Sequence, residues 1–384
     1  MKLYENDPYC KSFTAKVEDC IPADGKYNIV LSQTAFFPEG GGQAADEGTL
    51  NGIPVLDVQE ENGLVYHTLD SEIKPGETVQ GEINWDLRYA RMQSHTGEHI
   101  LAGTIHSLFG YDNVGFHMSE KIMLVDFNGS LTADDMHKVE ILANKAIYKN
   151  ADVTAYYPTE EEIQNLTFRS KKEFESGLRI VKIGEDIDCC ACCAPHVSKT
   201  GEVGVIKVVD FYAFKQGTRI ELIAGINALT DYISLNSSVK EMMKILSSPR
   251  EEILGAVTER NNAYQALKGE NGWLSKRLAF SELDLKELSG GVYAISENLS
   301  FDELRHCSNQ LTEKDYNLCM LFSKNEAGGY SYVISSKTAD VRPVVKSLNE
   351  AFSGKGGGKS DYSQGKIESF PKEDIIKFAE EVLK

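Results

Sequence analysis

No stretch of about 18 consecutive apolar residues occurs in the 384-residue chain, so no segment reads as a membrane-spanning helix. The opening MKLYENDPYCKSF has no apolar run behind its charge, so a secretory signal is not expected and a cytoplasmic location is. Basic residues are outnumbered, 40 Lys+Arg against 58 Asp+Glu, for a formal charge of −18 and a pI near 5.0. That balance argues against broad non-specific binding to nucleic acid or anionic membranes and leaves room only for a local basic site. Such a site is suggested at 351–366, where Lys355, Lys359 and Lys366 face a single Asp361. Cysteines are few, 8 in all, and four of them (Cys189, Cys190, Cys192, Cys193) crowd into five residues. Without a secretory context that crowding favours metal binding over a disulfide framework. What remains, 41% hydrophobic and 26% charged, is the composition of a globular protein of two or three domains.

From Phe13 to Val79 short β-rich runs (TAKVEDC, YNIVLSQTAFF, VLDVQEE, LVYHTL) alternate with turn signals at ADGK, PEGGGQ, NG and KPGE, the rhythm of a small all-β barrel or sandwich. A helix is expected over Trp85–Phe109, with Asn84 or Asp86 near its start and Gly110 just past its end. Strands (VGFHM, KIMLVDF), a helix opened by Thr132 with Asp135 three residues on, and strands around VTAYY, RIVKI, VGVIKVVDFYAF and TRIELIAG follow. After Ala228 the pattern is long helix, interrupted near Ser247-Ser248-Pro249. The steps Ile253, Val257, Arg260, Tyr264, Leu267, Asn271, Leu274 and Leu278 fit either a coiled-coil arm or an amphipathic helix packed on its own protein. From Gly291 a strand-helix-strand-strand-helix order ends in a glycine-rich loop and a last helix, a small α/β domain.

His95-Thr96-Gly97-Glu98-His99 puts two imidazoles four residues apart on one helix face, about 6 Å along the axis, a spacing that clasps one ion. Cys192-Cys193-Ala194-Pro195-His196 adds a thiolate and an imidazole in a loop. Together they supply three imidazoles and one thiolate, a set that suits one Zn2+ per chain. Cys189, Cys190 and Cys193 compete with Cys192 as ligands. His106, on the same helical stripe, is expected in the core or behind the ligands. The same residues admit a structural zinc knuckle, and His-x-x-Glu-His also matches an inverted zinc-peptidase signature with Glu98 as base, although that reading needs a carboxylate ligand further on.

Taken in order, the motifs resemble those of the AlaX family of alanyl-tRNA editing proteins, in its long form, and the editing and C-terminal domains of alanyl-tRNA synthetases. Thr34-Ala35-Phe36-Phe37-Pro38-Glu39-Gly40-Gly41-Gly42-Gln43 resembles T-x-F-Y-P-E-G-G-G-Q; His95 to His99 resembles H-T-x-x-H; Cys192 to Val197 with Thr200-Gly201-Glu202-Val203-Gly204 resembles C-G-G-T-H-V and TGEIG. Gly354 to Lys359 with Gln364-Gly365 resembles the glycine-rich signature of the DHH-associated domain. Cys193-Ala194-Pro195 stands where the family has Gly-Gly-Thr.

The resemblance implies a multidomain α+β chain: an N-terminal β-barrel (1–82), a zinc-binding α+β editing domain (83–226), a helical or coiled-coil arm (227–290) and a small C-terminal α/β RNA-binding domain (291–384). It implies trans-editing without aminoacylation: hydrolysis of the ester of tRNA-Ala wrongly loaded with serine, and also glycine, since an alanine pocket rejects one added hydroxyl or one missing methyl poorly. His95, His99, Cys192 and His196 carry over as zinc ligands, Thr34 as the serine-discriminating residue, Gln43 as a helper of the pocket; Glu98 is a base by type. Lys355, Gly356, Gly357, Gly358, Lys359 and Lys366 are the expected RNA contacts, by amide approach to phosphate and by charge. The spacing of GKGGGKS is not that of a nucleotide-binding P-loop. A homodimer through the arm or the C-terminal domain is a further expectation. The alternatives to editing are the zinc peptidase and a non-catalytic tRNA-binding module with structural zinc.

Overall fold

In the computed structural model, which describes residues 1–119, 121–170, 178–314, 316–326 and 328–384, the chain divides into two units, Met1–Glu241 and Met242–Lys384.

In the first unit a short helix α1 (Leu3–Asn6) precedes seven strands: β1 (Ser12–Ala23), β2 (Lys26–Leu31), β3 (Gly48–Leu50), β4 (Ile53–Val55), β5 (Asp57–Glu61), β6 (Leu64–Leu69) and β7 (Thr78–Ile83). Strict alternation on β1 turns Phe13, Ala15 and Val17 inward, where Ile29, Leu50, Val58, Leu69 and Val79 meet them. The order β4-β3-β7-β1-β2-β6-β5 puts β4 and β5 at opposite ends. Only Leu56 separates them in sequence, and its N–H bonds Thr68 O at 2.8 Å, so the ends meet and the sheet curls into a nearly closed barrel. Each valine, leucine, isoleucine or phenylalanine turned inward to full burial contributes about 1.5–3 kcal/mol.

One expected strand is cut short. YNIVLSQTAFF is β-structured only to Leu31. The 34–37 segment instead spends its backbone groups on side chains: Ala35 O accepts from Arg88 and Phe37 N–H donates to Asp46.

Helix α2 (Trp85–Phe109) has the expected bounds, with Asn84 accepting from Leu87 N–H at 3.5 Å and Gly110 left-handed at φ 70°. Next come β8 (Asn113–Met118), β9 (Met123–Phe127), α3 (Ala133–Tyr148), opened by a capping box of Thr132 and Asp135, β10 (Val153–Tyr156), α4 (Glu160–Asn165), β11 (Ile180–Ile183), β12 (Asp188–Ala191), a 3-10 turn at Thr200–Val203, β13 (Ile206–Phe214), β14 (Gly217–Ala224) and α5 (Gly225–Leu246). The strands form two sheets, β13-β14-β9-β8 and β10-β11-β12. Helix α2 packs on β14 and β9 of the first and on β12 of the second, and Met92, Gly97, Ile100, Leu101, Ala102 and Ile105 are buried there beside the polar Arg88, His95, Glu98 and His99.

The second unit holds α6 (Ile253–Ser281), β15 (Lys286–Leu288), β16 (Gly291–Glu297), α7 (Phe301–Glu313), β17 (Cys319–Lys324), β18 (Tyr330–Ser335), α8 (Arg342–Ala351), β19 (Lys355–Gly358), β20 (Tyr362–Ile367) and α9 (Lys372–Leu383). The sheet order is β15-β16-β17-β18-β20-β19, and β16 with β17 is the parallel pair. One face packs Leu304, Cys307 and Leu311 of α7, the other Val345 and Leu348 of α8 and Ile375 and Ala379 of α9. The glycine-rich segment expected as a loop is the edge strand β19. Of the stepped positions on α6, Val257, Tyr264, Leu267, Leu274 and Leu278 are exposed. No helix among the described residues is long and apolar enough to cross a membrane.

Candidate metal centre

The helix α2 brings His95 and His99 to one face with ring centroids 5.4 Å apart, and the loop after β12 brings His196 to 5.0 Å from the first and 4.8 Å from the second. Cys192 Sγ lies 3.6 Å from His95 Nε2 and 3.4 Å from His196 Nε2. One ligand atom from each of His95, His99, Cys192 and His196 falls within 4.8 Å of the others. Each imidazole has its Nδ1 engaged: His95 with Gln43 Oε1 at 2.8 Å, His196 with Thr96 Oγ1 at 3.0 Å, His99 with Asp188 Oδ2 at 3.0 Å. With Nδ1–H donating outward, the Nε2 lone pairs face inward around one thiolate, and a donor set of three nitrogens and one sulfur suits tetrahedral Zn2+.

The electrostatics of Cys192 and His196 agree with that donor set, whereas Asp188 favours the imidazolium form of His99. Burial alone would raise the Cys192 thiol, but His95 and His196 hold it well below the ordinary thiol range. Burial drives His196 down to about 3, keeping it neutral as a ligand must be. Burial would also lower His99, yet Asp188 raises it well above its ordinary value.

Local chemistry explains how each part is held. Gly40 to Gln43 close a tight turn by reciprocal backbone bonds of 3.0 Å, with Gly41 and Gly42 at φ 62° and 84°. A side chain on Gly42 would also collide with the Phe116 carbonyl, so glycine is required there to deliver Gln43 to His95. Gln43 is fully buried, and its Nε2 donor has no partner among the described residues. The Cys-loop is pinned by Arg179, which donates to Cys192 O and Ala194 O at 3.0 Å. Thr96 also accepts Val197 N–H at 3.3 Å, so one hydroxyl ties helix to loop. Thr96, Asp188, Arg169 and Arg179 are not singled out by the sequence. Asp188 has one signal there, its even spacing from Cys190 on β12, which puts the two on one strand face.

The other expected residues fall as follows. Glu98 is buried, bonded by Asn113 Nδ2, with Oε2 3.9 Å from His99 Nε2. Thr34 is buried in the barrel, where its hydroxyl donates to His67 Nε2 at 2.8 Å and accepts Phe36 N–H at 3.1 Å. Burial lowers His67 to about 4, and its Nδ1–H donates to Ile29 O at 3.0 Å, so Nε2 is an acceptor. His106 is neither core nor beside the ligands: it is half exposed and paired with Asp112 at 3.0 Å, because it lies in the last turn of α2, about 10 Å along the axis from His99. Cys190 is buried and forms a second close group with His99 and Asp188, while Cys193 is exposed.

In the second unit Lys355, Gly356, Gly357, Gly358, Lys359 and Lys366 are all exposed, and Lys355 stands directly opposite Lys366 on β20. Like charges so placed repel and favour an anion between them. The glycines have separate reasons. A side chain at Gly356 would strike Tyr332 Oη and Gly365, and one at Gly358 the Tyr362 carbonyl, whereas Gly357 faces open space. A groove of about 490 Å3 beside β19 is lined also by Arg342, Lys346 and Asn349.

Three family models match the chain: tRNA synthetases class II (A) over residues 10–87, the threonyl and alanyl tRNA synthetase second additional domain over 178–224, and the DHHA1 domain over 288–384. The alanyl-tRNA editing protein AlaX-L of Pyrococcus horikoshii is 31% identical, covering 100% of this chain and 98% of that protein. The alanyl-tRNA editing protein Aarsd1 of Mus musculus is 27% identical over 95% of this chain and 93% of its own length. An alanine–tRNA ligase of Pyrococcus abyssi is 31% identical, but the chain spans only 43% of it. With a relative matched end to end and all three domain models in order, the chain belongs to the AlaX family of alanyl-tRNA editing proteins, in its long form.

Proposed function

We propose that the chain is a hydrolase that edits in trans, removing serine, and also glycine, from mischarged tRNA-Ala at a zinc-containing site. The observation that carries the reading is the convergence of three inward-facing Nε2 atoms on the Cys192 thiolate, in a chain related along its whole length to an editing protein. His95, His99, Cys192 and His196 would hold Zn2+, which when bound would supply a fixed positive charge near the aminoacyl end.

The chain's own residues account for the remaining steps. Four protein ligands make a site closed in type, so activating water falls to a residue beside it. Glu98, with a carboxylate oxygen 3.9 Å from His99 Nε2, takes a proton from the attacking water as general base and returns it to the ribose oxygen as the acyl–oxygen bond breaks. The unpartnered Gln43 Nε2 donates to an oxygen of the ester. Thr34 has one proton given to His67 and one lone pair taken by Phe36, leaving a lone pair for the seryl hydroxyl that the alanyl methyl cannot use. The exposed lysines of β19 and β20 hold tRNA phosphates.

The test is release of amino acid from seryl-, glycyl- and alanyl-tRNA-Ala by the parent and by Cys192→Ala, with bound metal counted in both. Rapid loss of serine with alanine spared, abolished together with the metal, is expected. A zinc-loaded parent that releases none of the three would overturn the reading and leave a tRNA-binding module with structural zinc.

A further inference from the structure

Among the three imidazoles of the cluster, His99 alone has a charged group behind it. Gln43 offers His95 an amide oxygen and Thr96 offers His196 a hydroxyl, but His99 Nδ1 meets the Asp188 carboxylate at 3.0 Å. That carboxylate is itself clamped: Arg169 Nε donates to Oδ1 at 2.8 Å and Arg169 Nη2 to Oδ2 at 2.9 Å, a two-pronged pair with side chains 10% and 2% exposed. Arg169 is placed by its backbone, which exchanges bonds with Cys189 O and Ala191 N–H at 2.8 and 2.9 Å and so runs alongside β12.

The helix is shaped to receive this strand. Gly103, one turn beyond His99, lies against β12, and a side chain there would collide with the Ile187 carbonyl and Asp188 Cβ. Removing the side chain at that one position lets Asp188 reach the ring. Both oxygens of the Asp188 carboxylate are thus engaged, Oδ1 by Arg169 Nε and Oδ2 by Arg169 Nη2 and the His99 ring.

We propose that Asp188, clamped by Arg169, is a positioning residue for metal binding: it fixes the Nδ1–H tautomer and the orientation of His99, so that Nε2 is presented to the ion. The proposal rests on the metal reading of the cluster of three histidines and Cys192. A carboxylate behind an imidazole ligand makes it both better oriented and more basic. The arginine keeps that carboxylate from rotating off the ring or turning to the ion as a fifth donor. Cys190, the other member of the group around His99 and Asp188, is denied the ring nitrogen while Asp188 holds it.

The test is made on the full chain. Zinc affinity is measured by competition with a chromophoric chelator for the parent, Asp188→Ala, Asp188→Asn and Arg169→Gln. Thermal unfolding is recorded for each, metal-free and zinc-loaded, and the Co2+-substituted proteins are compared by visible absorption. Asp188→Ala should bind zinc about 10–100-fold more weakly and lose intensity in the tetrahedral Co2+ bands. Asp188→Asn, whose amide oxygen still accepts from Nδ1, should recover part of the affinity, and Arg169→Gln should fall between it and the parent. A purely structural role would lower the metal-free melting temperature and leave zinc affinity and the Co2+ spectrum at parental values, which overturns the proposal. Should Asp188→Ala not fold, unchanged affinity in both Asp188→Asn and Arg169→Gln overturns it equally. A parent that binds no zinc sinks the metal reading itself, an outcome distinct from variants that bind as well as a zinc-loaded parent.

Discussion

Gln43 Oε1 stands 2.8 Å from His95 Nδ1, so a turn of the barrel holds the ring of a histidine on helix α2. The barrel therefore contributes to the cluster without offering a ligand. The same amide leaves Nε2 buried and unpartnered, a cost of about 1–3 kcal/mol in a group that a bound oxygen would satisfy.

The two ends of that amide can be separated. Gln43→Glu keeps an acceptor on His95 and removes the free donor, so zinc should be retained while kcat/KM for seryl-tRNA-Ala falls by about 10²–10³-fold. Gln43→Leu removes both and should weaken zinc binding as well, by about 10–100-fold. Metal titration beside deacylation kinetics reads the split; equal zinc loss in both variants would refute it.

Arg88 is fully buried and donates to Asp46, Ala35 O and Pro8 O, tying α2 to the barrel and to the segment that carries Thr34. Arg88→Met strands a buried carboxylate and should cost about 3–5 kcal/mol in denaturant unfolding. Asp46→Asn keeps an acceptor for Phe37 N–H and should cost less.

His67 gives stability a pH dependence of known sign. Its folded pKa is depressed by burial from 6.5 to about 4, so the unfolded chain binds the extra proton between those values. The contribution is complete above about pH 6.5 and is lost as pH falls towards 4, up to about 3 kcal/mol. The melting-temperature gap between the parent and His67→Gln should therefore narrow from pH 6.5 to 4; a constant gap would contradict the assignment.

Lys355, Lys359 and Lys366 are exposed, the first opposite the last across β19 and β20. Changing all three to alanine should weaken tRNA binding and flatten its log–log salt dependence by roughly 0.7–0.9 per lost phosphate contact. The deacylation rate at saturating tRNA should hardly change. Binding and salt slope at parental values would remove these lysines from the interface.

The ligand types are legible in the sequence because their spacing is local. Two histidines four apart on a capped helix share a face whatever surrounds them, and Cys192 and His196 sit close on one loop. The bounds of α2 and the capping box of α3 are readable for the same reason: each depends on residues within one turn. The strand expected through Thr34 does not form, because alternation cannot show that Arg88 and Asp46, distant in sequence, claim its backbone.

By itself the sequence determined which side chains can ligate, which helix carries two of them, and the family to which the ordered motifs belong. Tertiary structure alone decided what stands behind each ring. Gln43, Thr96 and Asp188 reach their imidazoles across 52, 100 and 89 residues, through sheet pairing and close helix–strand approach. It also decided that the glycine run is an edge strand, where Gly356 and Gly358 answer to packing and Gly357 is left open. Local spacing sets what a short segment can present; the partner of a ring nitrogen is set by which distant backbone the core brings alongside it.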